Sequence, residues 1–113
     1  MDMFNKKKDK NWILQSCQLC LNDLQVVYLK NIGNFTLNKK LNQLFITIEQ
    51  VMQAVSLSDA MNKRDYQLIL ANLEKARSEL QILYMDGIAK KETDRLDIVL
   101  VRVNSIIKAI KKL

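Results

Sequence analysis

Two cysteines three residues apart, in Cys17-Gln-Leu-Cys20, first invite a chemical reading, because C-x-x-C is the letter pattern of redox centres and of half a zinc site. The rest of the chain withholds what either would need. A structural zinc takes four ligands, and there is no histidine and no further cysteine to complete the set. A redox pair needs exposed thiols in an electropositive setting, whereas Cys17 and Cys20 stand on an apolar stripe and read as small core-filling hydrophobes. The absence of histidine also removes the commonest general base. Asp94 and Asp97 flank the start of a helix, where they suit the positive end of its dipole, and Glu74 and Glu79 lie off the core stripe of another. No carboxylate pair therefore faces an apolar cleft, and two isolated glycines cannot cradle a phosphate. Neither an enzyme nor a cofactor or metal site is expected.

Binding chemistry is better supplied. The formal charge is +6, and it sits at the ends of the chain. Residues 1–11 carry four Lys against two Asp, residues 87–113 carry seven Lys or Arg against three acids, and the stretch between them sums to zero. Such segregation favours an acidic partner met by one side of the molecule, a nucleic-acid backbone or an acidic protein face. On a helix through residues 91–113, Lys91, Arg95, Arg102, Ser105 and Lys112 share one arc beside the apolar stripe, forming a basic ridge. Exchanging Arg95 and Arg102 for Glu is expected to leave the fold intact, since both lie to one side of the core face. Ile98 falls within the ridge and Val101 just beyond it, which points to self-association there. The plainer alternative is a solvated helix end with ordinary exposed aliphatics, its lysines complementing the macrodipole. Trp12, following Lys6-Lys7-Lys8-Asp9-Lys10, could stack on a base or staple its helix to the core.

These residues must be positioned by helices. The chain of 113 residues is 49% hydrophobic, has no proline and has two glycines, so it can fill one core and lacks the punctuation of β-rich folds. Four apolar stripes step by threes and fours. They are Ile13, Cys17, Cys20, Leu24, Val27; then Leu37, Leu41, Leu44, Ile48, Val51, Val55; then Ile69, Leu73, Ala76, Leu80, Leu83; and last Leu96, Val99, Val103, Ile106, Ile110, Leu113, broadened by Leu100 and Ile107. Gly33 and Asp86-Gly87 supply helix ends, Asn34 or Thr36 a cap for the second helix, and Asn62 with Asp65 a loose capping box for the third. Helices are expected over 11–31, 36–57, 63–86 and 91–113, and their equal lengths and short links predict an all-α, up-and-down antiparallel four-helix bundle. Residues 1–113 read as a single domain, with 1–10 a basic, flexible tail. No window reaches eighteen consecutive apolar residues, and no apolar leader opens the chain, so a reducing cytoplasm is expected and a membrane partner is not.

From Asn34 onward the motifs take on a familiar order. Asn34-Phe-Thr-Leu-Asn-Lys-Lys-Leu41, Leu70-Ala-Asn-Leu-Glu-Lys-Ala-Arg-Ser-Glu-Leu80, Tyr84-Met-Asp-Gly-Ile-Ala-Lys-Lys-Glu92 and the closing Ile106-Ile-Lys-Ala-Ile-Lys-Lys112 resemble one four-helix-bundle family. It includes the accessory variability determinants of diversity-generating retroelements and the proteins encoded in intervening sequences of bacterial 23S rRNA genes. The resemblance implies a non-enzymatic protomer that assembles as a pentameric ring with a basic surface for RNA or DNA, and the expected ligand here is RNA or an RNA–DNA intermediate. For the retroelement branch it further implies docking to a reverse transcriptase during mutagenic copying of a template RNA. Phe35 and Leu37 match the family's opening of helix two, Asn72, Leu73, Arg77 and Leu80 its helix-three pattern, and Asp86-Gly87 its last turn. Arg77 thereby joins Lys91, Arg95, Arg102, Lys112 and Lys6, Lys7, Lys8 as a candidate nucleic-acid contact, with Ile98 and Val101 as the candidate oligomer interface. The chain departs from the family at its end, where Ile106, Ile107, Ala109 and Ile110 stand in place of glycine and tryptophan. Two alternatives remain open, the rRNA-insert type of bundle and a helical protein-interaction adaptor that binds no nucleic acid.

Overall fold

Residues 6–57, 63–85 and 90–112 are described by a computed structural model, apart from the side chains of 6–9, 63 and 90. Each apolar stripe becomes the inner face of one helix: α1 Lys6–Lys30, α2 Phe35–Leu57, α3 Lys63–Met85 and α4 Thr93–Lys111, with a single 3₁₀ turn at Lys90–Glu92 before α4. Each helix packs on its neighbour in the chain, and α1 packs on α4, closing an up-and-down four-helix bundle. Among the described residues there is no strand, and no helix is long and apolar enough to cross a membrane.

One core cluster contains every stripe residue named above except Leu113, which lies outside the described residues. Ile107 is buried with them and Leu100 packs partly against them, so α4 presents a wider inner face than a narrow seam. Within this apolar core Thr47 is fully buried. Its hydroxyl lies 2.9 Å from the Gln43 carbonyl and 3.0 Å from Glu79 Oε1, and its one proton ties α2 to α3 when it is donated to the carboxylate.

The start of α1 differs from the sequence expectation. The helix runs from Lys6 rather than from residue 11, so half of the expected tail belongs to it. Lys10 Nζ donates to the Ser56 carbonyl at 3.1 Å, placing a cation on the last turn of α2, where the helix dipole favours it. Part of the N-terminal positive charge is thus structural.

The corner between α1 and α2 is made by asparagines. Asn34 Oδ1 accepts from the Leu37 amide at 3.1 Å and caps α2, as its position allowed. Asn31 Nδ2 donates to Val27 O at 2.8 Å, satisfying one of the orphan acceptors at the end of α1, and Asn38 Nδ2 donates to the turn carbonyls of Asn31 and Ile32 at 3.0 and 2.9 Å. Gly33, expected to terminate α1, is not in the left-handed conformation, and a Cβ there would meet open space. The other expected corner signals, Asn62 and Asp86-Gly87, lie outside the described residues.

Two substitutions separate these roles. Gly33→Ala should be neutral or stabilising by about 0.4–1 kcal/mol through the unfolded chain, while Asn34→Ala should cost about 1 kcal/mol for removal of the cap. Val103 is 1% exposed, and Val103→Asp should cost about 3–5 kcal/mol for an unpaired buried charge. Urea titrations of the three variants measure all of these.

Candidate interaction face between the first and last helices

The molecule measures 51 × 21 × 19 Å, so most of the surface of its described residues is helix flank. On α1 the stripe Ile13, Cys17, Cys20, Leu24 and Val27 faces inward. At about 100° per residue, Trp12, Ser16, Leu19 and Asp23 all fall to one side of it. That side meets α4. On α4, Arg95 and Arg102 fall at the edge of the core face, with Ile98 and Val101 farther round towards solvent.

Two features result. The first is a groove of about 550 Å³, with Trp12 and Leu19 on one rim and Ile98 and Val101 on the other. Ser16, Asp97, Arg102 and Ser105 also line it. The four rim residues are 41%, 45%, 51% and 65% exposed, so the core does not use them. Ile98 and Val101 were singled out from the sequence, and the structure joins them to two α1 residues. Trp12 belongs to this groove and, at 41% exposed, is not stapled into the core.

The second feature is a clasp. Asp23 Oδ1 accepts from Arg95 Nη1 at 3.0 Å and Oδ2 from Arg102 Nη1 at 2.9 Å, so one carboxylate on α1 holds two guanidiniums two turns apart on α4. The expected ridge is therefore not a row of solvated cations. Its two arginines are structural, with side-chain exposures of 35% and 25% against 21% for Asp23. Partial burial places each pair between a surface bridge, worth little, and a buried one, which is costly to break. The Asp23 contact raises the Arg102 pKa further above its ordinary value.

Of the other expected contacts, Lys91 and Lys112 are exposed, and on α4 the spread from Arg95 to Lys112 is about 25 Å at ~1.5 Å per residue. Lys6, Lys7 and Lys8 open α1, and their side chains are outside the described ones. Arg77 is not brought to the ridge: its Nη1 donates to Asn104 Oδ1 at 3.3 Å, on the flank of α4 that faces α3. Lys111 lies 3.8 Å from Glu74.

Cys17 and Cys20 are free thiols, each 1% exposed. Burial, with the neighbouring Cys20 adding to it, pushes the Cys17 pKa up to about 12. Burial raises Cys20 to about 11, against the opposing pull of the nearby Arg102 guanidinium. Both thiols are held protonated, the opposite of what a nucleophile or metal ligand needs. Among the described residues no three His, Cys, Asp or Glu side chains are grouped to hold a metal ion.

Asp23 was missed in the sequence. Its only signal there is an acidic residue at the edge of an apolar stripe, and which cation faces it depends on which helix lies alongside. Comparison with protein-family models, with curated proteins and with solved structures finds no match to this chain.

Exchanging Arg95 and Arg102 together for Glu, expected from sequence to be structurally silent, should place three carboxylates at the α1–α4 contact. It should lower stability by on the order of 2 kcal/mol, read from urea unfolding. The thiols of native protein should react with iodoacetamide at pH 8 only as fast as the bundle opens. Because their folded pKa values are raised, they favour folding below about pH 9, where unfolded thiols ionise, and that contribution falls away as pH rises through about 11 to 12. Replacing both by Ala should remove this part of the alkaline loss of stability.

Proposed function

We propose that this chain is a non-enzymatic bundle that assembles with copies of itself through the α1–α4 groove and holds the phosphate backbone of RNA, or of an RNA–DNA intermediate, with its basic ends. The observation that carries this reading is the groove. Two exposed apolar residues from each of two helices line it beside the segment that bears most of the net charge. An apolar patch next to surplus cations suits a protomer that self-associates and repeats a modest charge around an assembly, multiplying its field. Taken with the resemblance to retroelement accessory proteins, the assembly is a pentameric ring, and its task is to hold template RNA for a reverse transcriptase during mutagenic cDNA synthesis. With no base-reading motif in the chain, recognition rests on backbone and shape, and target choice belongs to the partner.

A second reading, a protein-interaction adaptor without nucleic-acid binding, is favoured by the clasp, because Asp23 neutralises part of the ridge. The rRNA-insert type of bundle shares the first reading's chemistry and differs in genomic setting.

Light scattering and a salt titration test the proposal. The wild type should have a mass several times the 13.2 kDa of one chain, and Ile98→Glu should reduce it to one chain without loss of helix content. Binding to single-stranded RNA should weaken linearly in log salt. Lys91→Gln with Lys112→Gln should flatten that slope by about 0.7 for each phosphate no longer neutralised. A salt-independent affinity, or none, would favour the adaptor.

A further inference from the structure

Arg95 and Arg102 present two guanidiniums to one anion, and that anion is part of the protein. Each donates a single N–H to Asp23, through Nη1 in both cases. A guanidinium has five donors in a rigid fork. A phosphodiester offers two non-bridging oxygens in one plane with phosphorus, as a carboxylate offers two oxygens with its carbon. The three groups together carry a net charge of one positive unit, and all are partly open to water at 35%, 25% and 21%. This last point governs exchange. A fully buried carboxylate could not leave without being stranded as an unpaired charge, whereas one at the surface can turn into solvent as another anion arrives. Cys20, within hydrogen-bonding reach of Arg102, brings no charge to the fork, because burial keeps its thiol protonated.

We infer that Arg95 and Arg102 form a phosphate-binding fork whose resident occupant is the Asp23 carboxylate, so that a nucleic-acid phosphate gains the fork only by displacing it. The inference rests on the nucleic-acid reading above and adds to it a built-in competitor. Two consequences follow. In the resting protein the clasp braces α1 against α4, and when phosphate takes the fork that brace is released, coupling backbone binding to the contact beside the groove. Occupied arginines also discriminate against isolated weak anions, since each must outcompete a tethered carboxylate.

Asp23→Asn keeps the shape of the side chain and removes its charge. Glu49→Gln, exposed on α2 and so outside the α1–α4 contact, makes the same change in net charge and serves as control. Oligouridine binding is followed by fluorescence anisotropy at low salt, and inorganic pyrophosphate is tested by its effect on melting temperature. Asp23→Asn should bind oligouridine about ten-fold more tightly than Glu49→Gln, with a log–log salt slope steeper by about 0.7. Adding Arg102→Gln should abolish the gain, and pyrophosphate should raise the melting temperature of Asp23→Asn but not of the wild type. Equal affinities for Asp23→Asn and Glu49→Gln, in a protein that does bind RNA, would overturn the fork and leave the binding reading standing. Stabilisation of Asp23→Asn by pyrophosphate with no RNA binding by any form would uphold the fork and overturn the reading. No response to either probe overturns both. If Asp23→Asn melts too low to assay, the same comparison in sucrose, which strengthens burial, retains these outcomes.

Discussion

The contact between α1 and α4 is the constraint on which the rest of the bundle depends. The other neighbouring pairs, α1 with α2, α2 with α3 and α3 with α4, are joined by short connections, so chain proximity favours their pairing. The first and last helices have no such link. Their meeting closes the longest loop in the molecule, and side chains alone must offset that entropy. Much of the offset is apolar, because both helices bury their stripes in the one core cluster. Apolar packing is non-directional and tolerates a slide of one turn. A carboxylate held by arginines two turns apart does not, because such a slide would leave a charge without its partner. Asp23 is thus suited to fixing the register that the hydrophobic seam leaves loose.

That device changes what the basic surface amounts to. Arithmetic on the sequence leaves a net excess of four cations in residues 87–113, but two of them share one acid from α1, a residue in the electrically balanced middle of the chain. Lys10 is engaged at the end of α2, and Lys111 stands near Glu74. The exposed positive charge is therefore smaller and more dispersed than a helical projection of α4 implies. Lys91 near one end of the helix and Lys112 at the other remain exposed, and the apolar groove lies along the flank between them. Such a surface is mixed, apolar with Asp97 and Arg102 set into it along its length and cationic at its ends.

The first corner shows a related economy of residue types. Helices commonly end on a glycine in the left-handed conformation, and Gly33 stands where such a residue would be sought. The chain uses amides instead: Asn31 donates to a last-turn carbonyl of α1, Asn38 to the two turn carbonyls that follow that helix, and Asn34 accepts from the first turn of α2. Asn31 Nδ2 also reaches Glu92 Oε1 at 3.4 Å, just ahead of α4. The same corner thereby touches the third member of that end of the bundle. An asparagine carries both donors and an acceptor, so three of them can close a helix end, open the next and touch a third element, which a glycine cannot do.

Sequence alone determined the helices and their inner faces. The step of threes and fours is a property of one helix, and residues spaced that way share a face whatever lies opposite. Each stripe residue from Ile13 to Ile110 is accordingly in the core. Burial of the cysteines was legible for the same reason, and so was the surplus of Ile98 and Val101 outside the α4 stripe. Tertiary structure decided which flank meets which. Asp23, Trp12 and Leu19 lie beside their stripe in the sequence without indicating whether α2 or α4 is across from them, and Arg77 and Arg102 look equally free until Asn104 and Asp23 are placed. A flank residue has no periodicity of its own to reveal its partner. Its role is set by the order in which four helices close around one core, and that order is a property of the whole chain.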